Sequence, residues 1–99
     1  MRLTPDQVAI IKRLSAEEFG QSARVRLFGS RVRDDDRGGD VDLMVEVTTV
    51  IESPAWQSAM LATRVSRAMS GRRVDVVLSA PNLRDLPIHA VARREGVLL

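Results

Sequence analysis

The chain has 99 residues, of which 44% are hydrophobic and 28% charged, and this length suits one small hydrophobic core rather than two. The absence of cysteine excludes disulfide bonds and cysteine-ligated zinc. A formal charge of +2, with one tryptophan and two phenylalanines, argues against direct nucleic-acid binding. No stretch approaches the roughly 18 apolar residues of a membrane-spanning helix. We therefore expect a cytoplasmic protein without membrane contact and with one domain over residues 1–99.

The first segment has the pattern of an amphipathic helix. Thr4 is suited to cap the helix, Pro5 to occupy its first position, and Gln7 to complete a capping box. The apolar residues that recur at helical spacing are Val8, Ile11, Leu14 and Phe19. Together these signals predict a helix that ends at Gly20.

Two strands are predicted next, one on each side of an acidic loop. In residues 23–28, arginine alternates with apolar side chains, and Gly29 ends the pattern. Residues 34–39 are acidic and rich in glycine, which favours a loop. In residues 40–47 every second position is valine or leucine, which is typical of a strand.

The remaining segments complete an α/β order. Ser53 and Pro54 are expected to begin a second helix that Gly71 ends, and its predicted buried residues are Leu61, Ala62, Val65, Ala68 and Met69. Residues 73–78 alternate as a third strand, and residues 82–94 are expected to form a loop and a short helix closed by Gly96. This order predicts an α/β domain with a small mixed sheet flanked by helices.

Three aspartates on the predicted strands are candidates for a metal site. Asp40 and Asp42 are two residues apart on one strand, so their side chains lie on the same face. Asp75 stands between Val74 and Val76 on another strand and also projects away from the apolar face. If the two strands are neighbours, the three carboxylates converge and can hold Mg²⁺ or Mn²⁺ ions for phosphoryl transfer.

A glycine and a serine are candidates for a phosphate-binding turn beside these carboxylates. Gly29 lets a phosphate approach the backbone, and a helical turn after Ser30 would direct its N–H groups at that phosphate. Nine residues then separate Ser30 from Asp40. In this order and spacing the chain resembles the DNA polymerase β-type nucleotidyltransferase superfamily, and within it the single-domain minimal nucleotidyltransferases that are paired with HEPN toxins. Gly39 stands where members of that group often have serine.

The resemblance implies a role for each of these residues. The three carboxylates would bind two Mg²⁺ ions, with Mn²⁺ as an alternative, and Asp75 would also act as the general base for the acceptor hydroxyl. The residues that would hold the triphosphate of ATP are Gly29, Ser30, Arg31 and Arg33. The fold implied is the single-domain nucleotidyltransferase fold.

The resemblance also implies a biological role. The protein would be an antitoxin that transfers AMP from ATP to a tyrosine of a cognate HEPN ribonuclease toxin. The alternative is a catalytically silent antitoxin that neutralises its partner by binding alone. A third reading keeps the enzyme but gives it a small molecule, such as an aminoglycoside, or an RNA end as acceptor. Because the chain is almost wholly the catalytic core, an enzyme of this kind would take its acceptor surface from a partner or from a second copy of the chain.

Other interpretations of the same residues remain. Asp40 and Asp42 alone could form a solvated strand face. An EF-hand loop opening at Asp34 fails, because its twelfth position is Val45 and not glutamate. His89, the only histidine, is expected at the surface or at a helix start, and two further residues, Trp56 and Met60, are expected to pack in the core rather than bind a base.

Overall fold

A computed structural model describes residues 3–29 and 41–99 of the chain. In these residues three helices and a four-stranded mixed sheet form an α/β domain, as predicted. The elements in chain order are α1 (Pro5–Phe19), β1 (Arg24–Phe28), β2 (Val41–Glu46), α2 (Pro54–Ala68), β3 (Val74–Ser79), α3 (Pro87–Glu95) and β4 (Val97–Leu98). None of the helices in this part of the chain is long and apolar enough to cross a membrane.

The sheet has the strand order β3-β2-β1-β4. β2 and β3 are parallel and are joined by α2, whereas β1 pairs antiparallel with both β2 and β4. The sequence did not predict β4, because two residues are too few to show an alternating pattern. β4 exists because β1 offers it backbone hydrogen bonds, including one from Leu99 N to Val25 O at 2.9 Å.

Alternation along the strands divides the sheet into two apolar faces. One face packs against α1 and α2, and its fully buried residues include Ile11, Val41, Leu43 and Leu61. The other face packs against α3 through Phe28, Met44 and Ala92. The second face of the sheet is therefore not fully exposed to water, because α3 covers the part of it that carries Phe28 and Met44.

The helix ends follow the sequence signals closely. Thr4 and Gln7 form the predicted capping box of α1, with Thr4 Oγ1 accepting from Gln7 N at 3.1 Å. α2 begins at Pro54 as predicted, and Gly71 lies in the turn after it with φ +81°. Ala68, however, is exposed on the outer side of α2, so its predicted burial is wrong.

One prediction about a single side chain is also wrong, and a second is confirmed for only one of its two alternatives. Trp56 is 67% exposed and does not pack in the core, because it lies in the first turn of α2, on the side away from the sheet. His89 does stand at a helix start, in the first turn of α3, but it is only 3% exposed. Its ring Nδ1 accepts from Leu86 N at 2.9 Å, so Nε2 carries the proton and donates to Leu78 O at 2.7 Å.

Removing the His89 ring is expected to destabilise the fold, because this ring connects the end of β3 to the start of α3. His89→Ala leaves a buried carbonyl without its donor and opens a cavity, so we expect it to lower the free energy of unfolding by about 2–4 kcal/mol. Ile88→Ala is the matched control, since Ile88 is 39% exposed, and it should cost less than about 1 kcal/mol. Urea unfolding measures both, and equal losses would contradict a structural role for the ring.

Glu46 links α3 to the face of the sheet that carries Phe28 and Met44. Its carboxylate accepts from Arg26 Nε at 2.9 Å and from Arg93 Nε at 3.3 Å. Arg93 also donates to both carboxylate oxygens of Asp85 at 3.2 Å. Partial burial by itself would raise the pKa of Glu46, but the hydrogen bonds from the two arginines outweigh it and hold that pKa below its ordinary value of 4.5.

The lowered pKa of Glu46 predicts a pH-dependent contribution to stability. A carboxyl whose pKa is lower in the folded state stabilises the fold above its unfolded pKa, and this contribution is lost as the pH falls through the folded pKa. Glu46→Gln should therefore lower the free energy of unfolding by about 1–2 kcal/mol at neutral pH. The difference from wild type should shrink steadily once the pH is below 4.5. A difference that is the same at every pH would contradict the prediction, and Glu52→Gln, at an exposed position, is the control.

Candidate metal and nucleotide site

Two of the three predicted carboxylates lie side by side on neighbouring strands. β2 and β3 are parallel, and Asp42 is the register partner of Asp75. Adjacent strands are about 4.8 Å apart, so paired side chains of this kind contact a common ligand easily. Asp42 is half-buried, and the Asp75 side chain is 46% exposed. The two carboxylates therefore form a pair that is open to solvent at the start of both strands.

Gly29 packs directly against Asp42 of this pair. It follows Phe28, which is the register partner of Asp42 on β1. The backbone of Gly29 has φ +72°, and a Cβ atom at this position would overlap Oδ2 of Asp42. Glycine is thus required twice here, once for the left-handed backbone and once for the space that the carboxylate occupies. The sequence predicted that Gly29 gives room to a phosphate, and in the structure the room that its missing side chain leaves is next to Asp42.

An apolar layer borders the carboxylate pair on one side. Phe28, Met44 and Val77 lie on the same face of the sheet as the two aspartates, and α3 packs over them through Ala92. Met44 and Val77 are register partners two residues further along β2 and β3. Because this layer keeps water from one side of the pair, the carboxylates would interact more strongly with a cation here than at a surface hydrated on all sides.

Arg73 is a neighbour of the site that the sequence analysis did not single out. Its Nε lies 3.5 Å from Oδ1 of Asp75, and its side chain is 73% exposed. Such exposed ion pairs contribute little to stability. Its backbone carbonyl accepts from Val41 N at 2.9 Å and so aligns the starts of β2 and β3. The signal in the sequence was its spacing from Asp75, because residues two apart on a strand share a face.

The other predicted site residues fall outside the described ranges. These residues are Asp40, Ser30, Arg31 and Arg33. Over residues 3–29 and 41–99, no group of three or more metal-ligating side chains comes together. The described part of the site therefore consists of two carboxylates and one glycine. Paired carboxylates supply the hard oxygen ligands that Mg²⁺ and Mn²⁺ prefer, so these residues fit the predicted ions.

Comparisons with known proteins do not add to this picture. Neither a scan against protein-family models nor a search of curated proteins gave a match to the chain.

Proposed function

We propose that the protein is a metal-dependent nucleotidyltransferase that transfers a nucleoside monophosphate from a nucleoside triphosphate to an acceptor hydroxyl. The bond between the α- and β-phosphates breaks, and pyrophosphate leaves. The observation that supports this proposal best is the pairing of Asp42 with Asp75 on parallel strands, with the Gly29 backbone against Asp42. Two like charges on neighbouring strands repel each other, and a bound cation turns that repulsion into a shared attraction. A strand face that is merely solvated would not require a glycine that leaves room for one of the carboxylates, as Gly29 does for Asp42.

Each residue has a defined part in this proposal. Asp42 and Asp75, together with Asp40, would hold two Mg²⁺ or Mn²⁺ ions, which would supply positive charge to the triphosphate and to the transferring phosphoryl group. The Asp75 side chain is 46% exposed, and by resemblance to the minimal nucleotidyltransferases it would accept the proton of the acceptor hydroxyl. The triphosphate is held by a set of residues that begins at the Gly29 backbone and continues with Ser30, Arg31 and Arg33.

The acceptor that we propose is a tyrosine of a HEPN ribonuclease, with ATP as the donor and the protein acting as its antitoxin. This part of the proposal is supported by the resemblance of the Gly-Ser, Asp-x-Asp and Val-Asp-Val motifs to the minimal nucleotidyltransferases. ATP is the donor, so we place the reaction in the cytoplasm.

Label transfer tests the proposal directly. The protein is incubated with α-labelled ATP, Mg²⁺ and a candidate HEPN-type partner, and the partner is then examined for label. Label on a tyrosine of the partner is the expected result. A stable complex without label would favour an antitoxin that acts by contact alone. Label on an added RNA or aminoglycoside, and none on the protein, would instead keep the enzyme and change the acceptor.

A further inference from the structure

An open groove of about 500 Å³ lies at the other end of the sheet from the paired carboxylates. It is formed by α1, by the start of β1 and by the residues that follow α3. We call it the basic groove and define it by three cationic residues and three apolar ones, namely Lys12, Arg13, Arg24, Ala16, Val25 and Leu98.

The charge of the basic groove is unbalanced. Its three cationic side chains face one acidic residue among the described lining, Glu17. Glu17 already accepts from Arg64 Nη2 at 2.5 Å, and Arg64 belongs to α2 rather than to the lining. Among the described lining side chains, the positive charge of Lys12, Arg13 and Arg24 therefore exceeds the negative charge.

One wall of the groove is the edge of the sheet. Among the described strands, β4 pairs with β1 alone. Leu99 N donates to Val25 O, and Leu98 is the register partner of Arg26. Because antiparallel strands alternate between hydrogen-bonded and non-hydrogen-bonded pairs, the N–H and C=O of Leu98 point away from β1. The side chain of Leu98 is also 47% exposed.

We propose that the basic groove binds an acidic, extended segment of a partner protein. The segment adds to the edge of the sheet at Leu98, as extended peptides do in β-strand addition. Its carboxylates lie against Lys12, Arg13 and Arg24, and its intervening side chains lie on the apolar part of the groove. The open strand edge favours an extended segment, and the excess positive charge favours an acidic one.

Two other occupants fit the groove less well. A second copy of the chain would bring three further cationic side chains against these, and like charges across an interface oppose association. Single-stranded RNA would match the charge, but the groove has no aromatic side chain among its described lining on which a base could stack.

Occupation of the groove leaves the paired carboxylates uncovered. The groove meets β1 at Arg24 and Val25, whereas Asp42 pairs with Phe28 at the other end of that strand. Four residues of a strand span about 13 Å. A partner can therefore be held at one end of the molecule while the carboxylates at the other end remain accessible to metal and nucleotide. Docking at the basic groove does not depend on catalysis.

Peptide binding tests the proposal on the whole protein. The probe is a fluorescein-labelled peptide in which glutamate alternates with valine, and its anisotropy is followed at about 50 mM NaCl, where screening is weak. The comparison peptide has glutamine in place of glutamate, and a labelled single-stranded RNA of the same length is measured alongside. We expect the glutamate peptide to bind at least about tenfold more tightly than the glutamine peptide.

Variants locate the binding. Replacing both Lys12→Glu and Arg24→Glu should weaken binding by about tenfold or more, because each change replaces an attraction by a repulsion. Leu98→Pro removes the outward N–H without removing a bond to β1 and should also weaken it. Arg84→Glu is the control, since Arg84 is exposed and outside the groove, and it should stay within about twofold of wild type.

Several results would overturn the proposal. They are the absence of glutamate-peptide binding, peptide binding that the groove variants leave unchanged, and tight RNA binding in its place. Urea unfolding of each variant shows whether it is folded. If the glutamate variants are not, the milder pair Lys12→Ala and Arg24→Ala takes their place and should weaken binding by about threefold or more.

Discussion

Replacing both Asp42 and Asp75 by asparagine is expected to abolish metal binding and nucleotidyl transfer while the fold remains intact. Asparagine keeps the size of each side chain and one acceptor oxygen, but it removes the two negative charges that face each other across β2 and β3. We expect the Kd for Mn²⁺ to rise by more than about 100-fold and the transfer rate to fall by about 1,000-fold. The free energy of unfolding should stay within about 1 kcal/mol of wild type.

Mn²⁺ titration monitored by electron paramagnetic resonance is the measurement for this variant, because it needs neither nucleotide nor acceptor. Glu52→Gln is the matched control, since Glu52 is an exposed carboxylate in the segment beyond the other end of β2. It should bind Mn²⁺ as wild type does. If the double variant binds Mn²⁺ as tightly as wild type, the paired aspartates are not the metal ligands and the proposed enzymatic function loses its support.

Gly29→Ala is expected to weaken Mn²⁺ binding by about tenfold or more, although the changed residue has no metal-ligating group. An alanine Cβ at this position would overlap Oδ2 of Asp42, so the carboxylate must turn away or the backbone must shift. The left-handed backbone of Gly29, with φ +72°, adds a strain of about 1–2 kcal/mol for any residue with a side chain. The loss of folding free energy is therefore partly what any left-handed glycine would show, whereas the loss of Mn²⁺ affinity is specific to the contact with Asp42.

Gly71→Ala separates these two contributions. Gly71 has φ +81°, close to that of Gly29, but an added Cβ would meet nothing within 4 Å. Gly71→Ala should lose about 1–2 kcal/mol of folding free energy in urea unfolding, and Gly29→Ala should lose at least as much. Only Gly29→Ala should lose affinity for Mn²⁺. Equal affinities in the two variants would mean that the contact between Gly29 and Asp42 does not position a metal ligand.

Local patterns in the sequence were sufficient where the interacting residues are close along the chain. The capping box of Thr4 and Gln7 involves residues three apart, and the alternation in β2 has a period of two, so both can be read without knowing the fold. The same alternation placed Asp42 and Asp75 away from the larger apolar face. Whether these two side chains meet was left open, because the answer depends on which strands are neighbours.

Burial of individual side chains was the weakest part of the sequence interpretation. His89 has two hydrogen-bonding nitrogens and is polar, yet it is buried because Leu78 O, eleven residues earlier, accepts from its ring. Trp56 is large and apolar, yet it is exposed because the helix turns that position away from the sheet. Composition describes the side chain, whereas burial depends on which surface the fold places opposite it.

The sequence by itself determined the α/β class, the ends of α1 and α2, and the face of the strand on which each aspartate lies. Only the tertiary structure decided that β2 and β3 are neighbours in a register that pairs Asp42 with Asp75, and that Gly29 closes against Asp42. It also decided that two residues after α3 form an edge strand. The physical reason is the range of the interactions: caps and periodicity act within one or two turns, while register and close packing join segments that are distant along the chain.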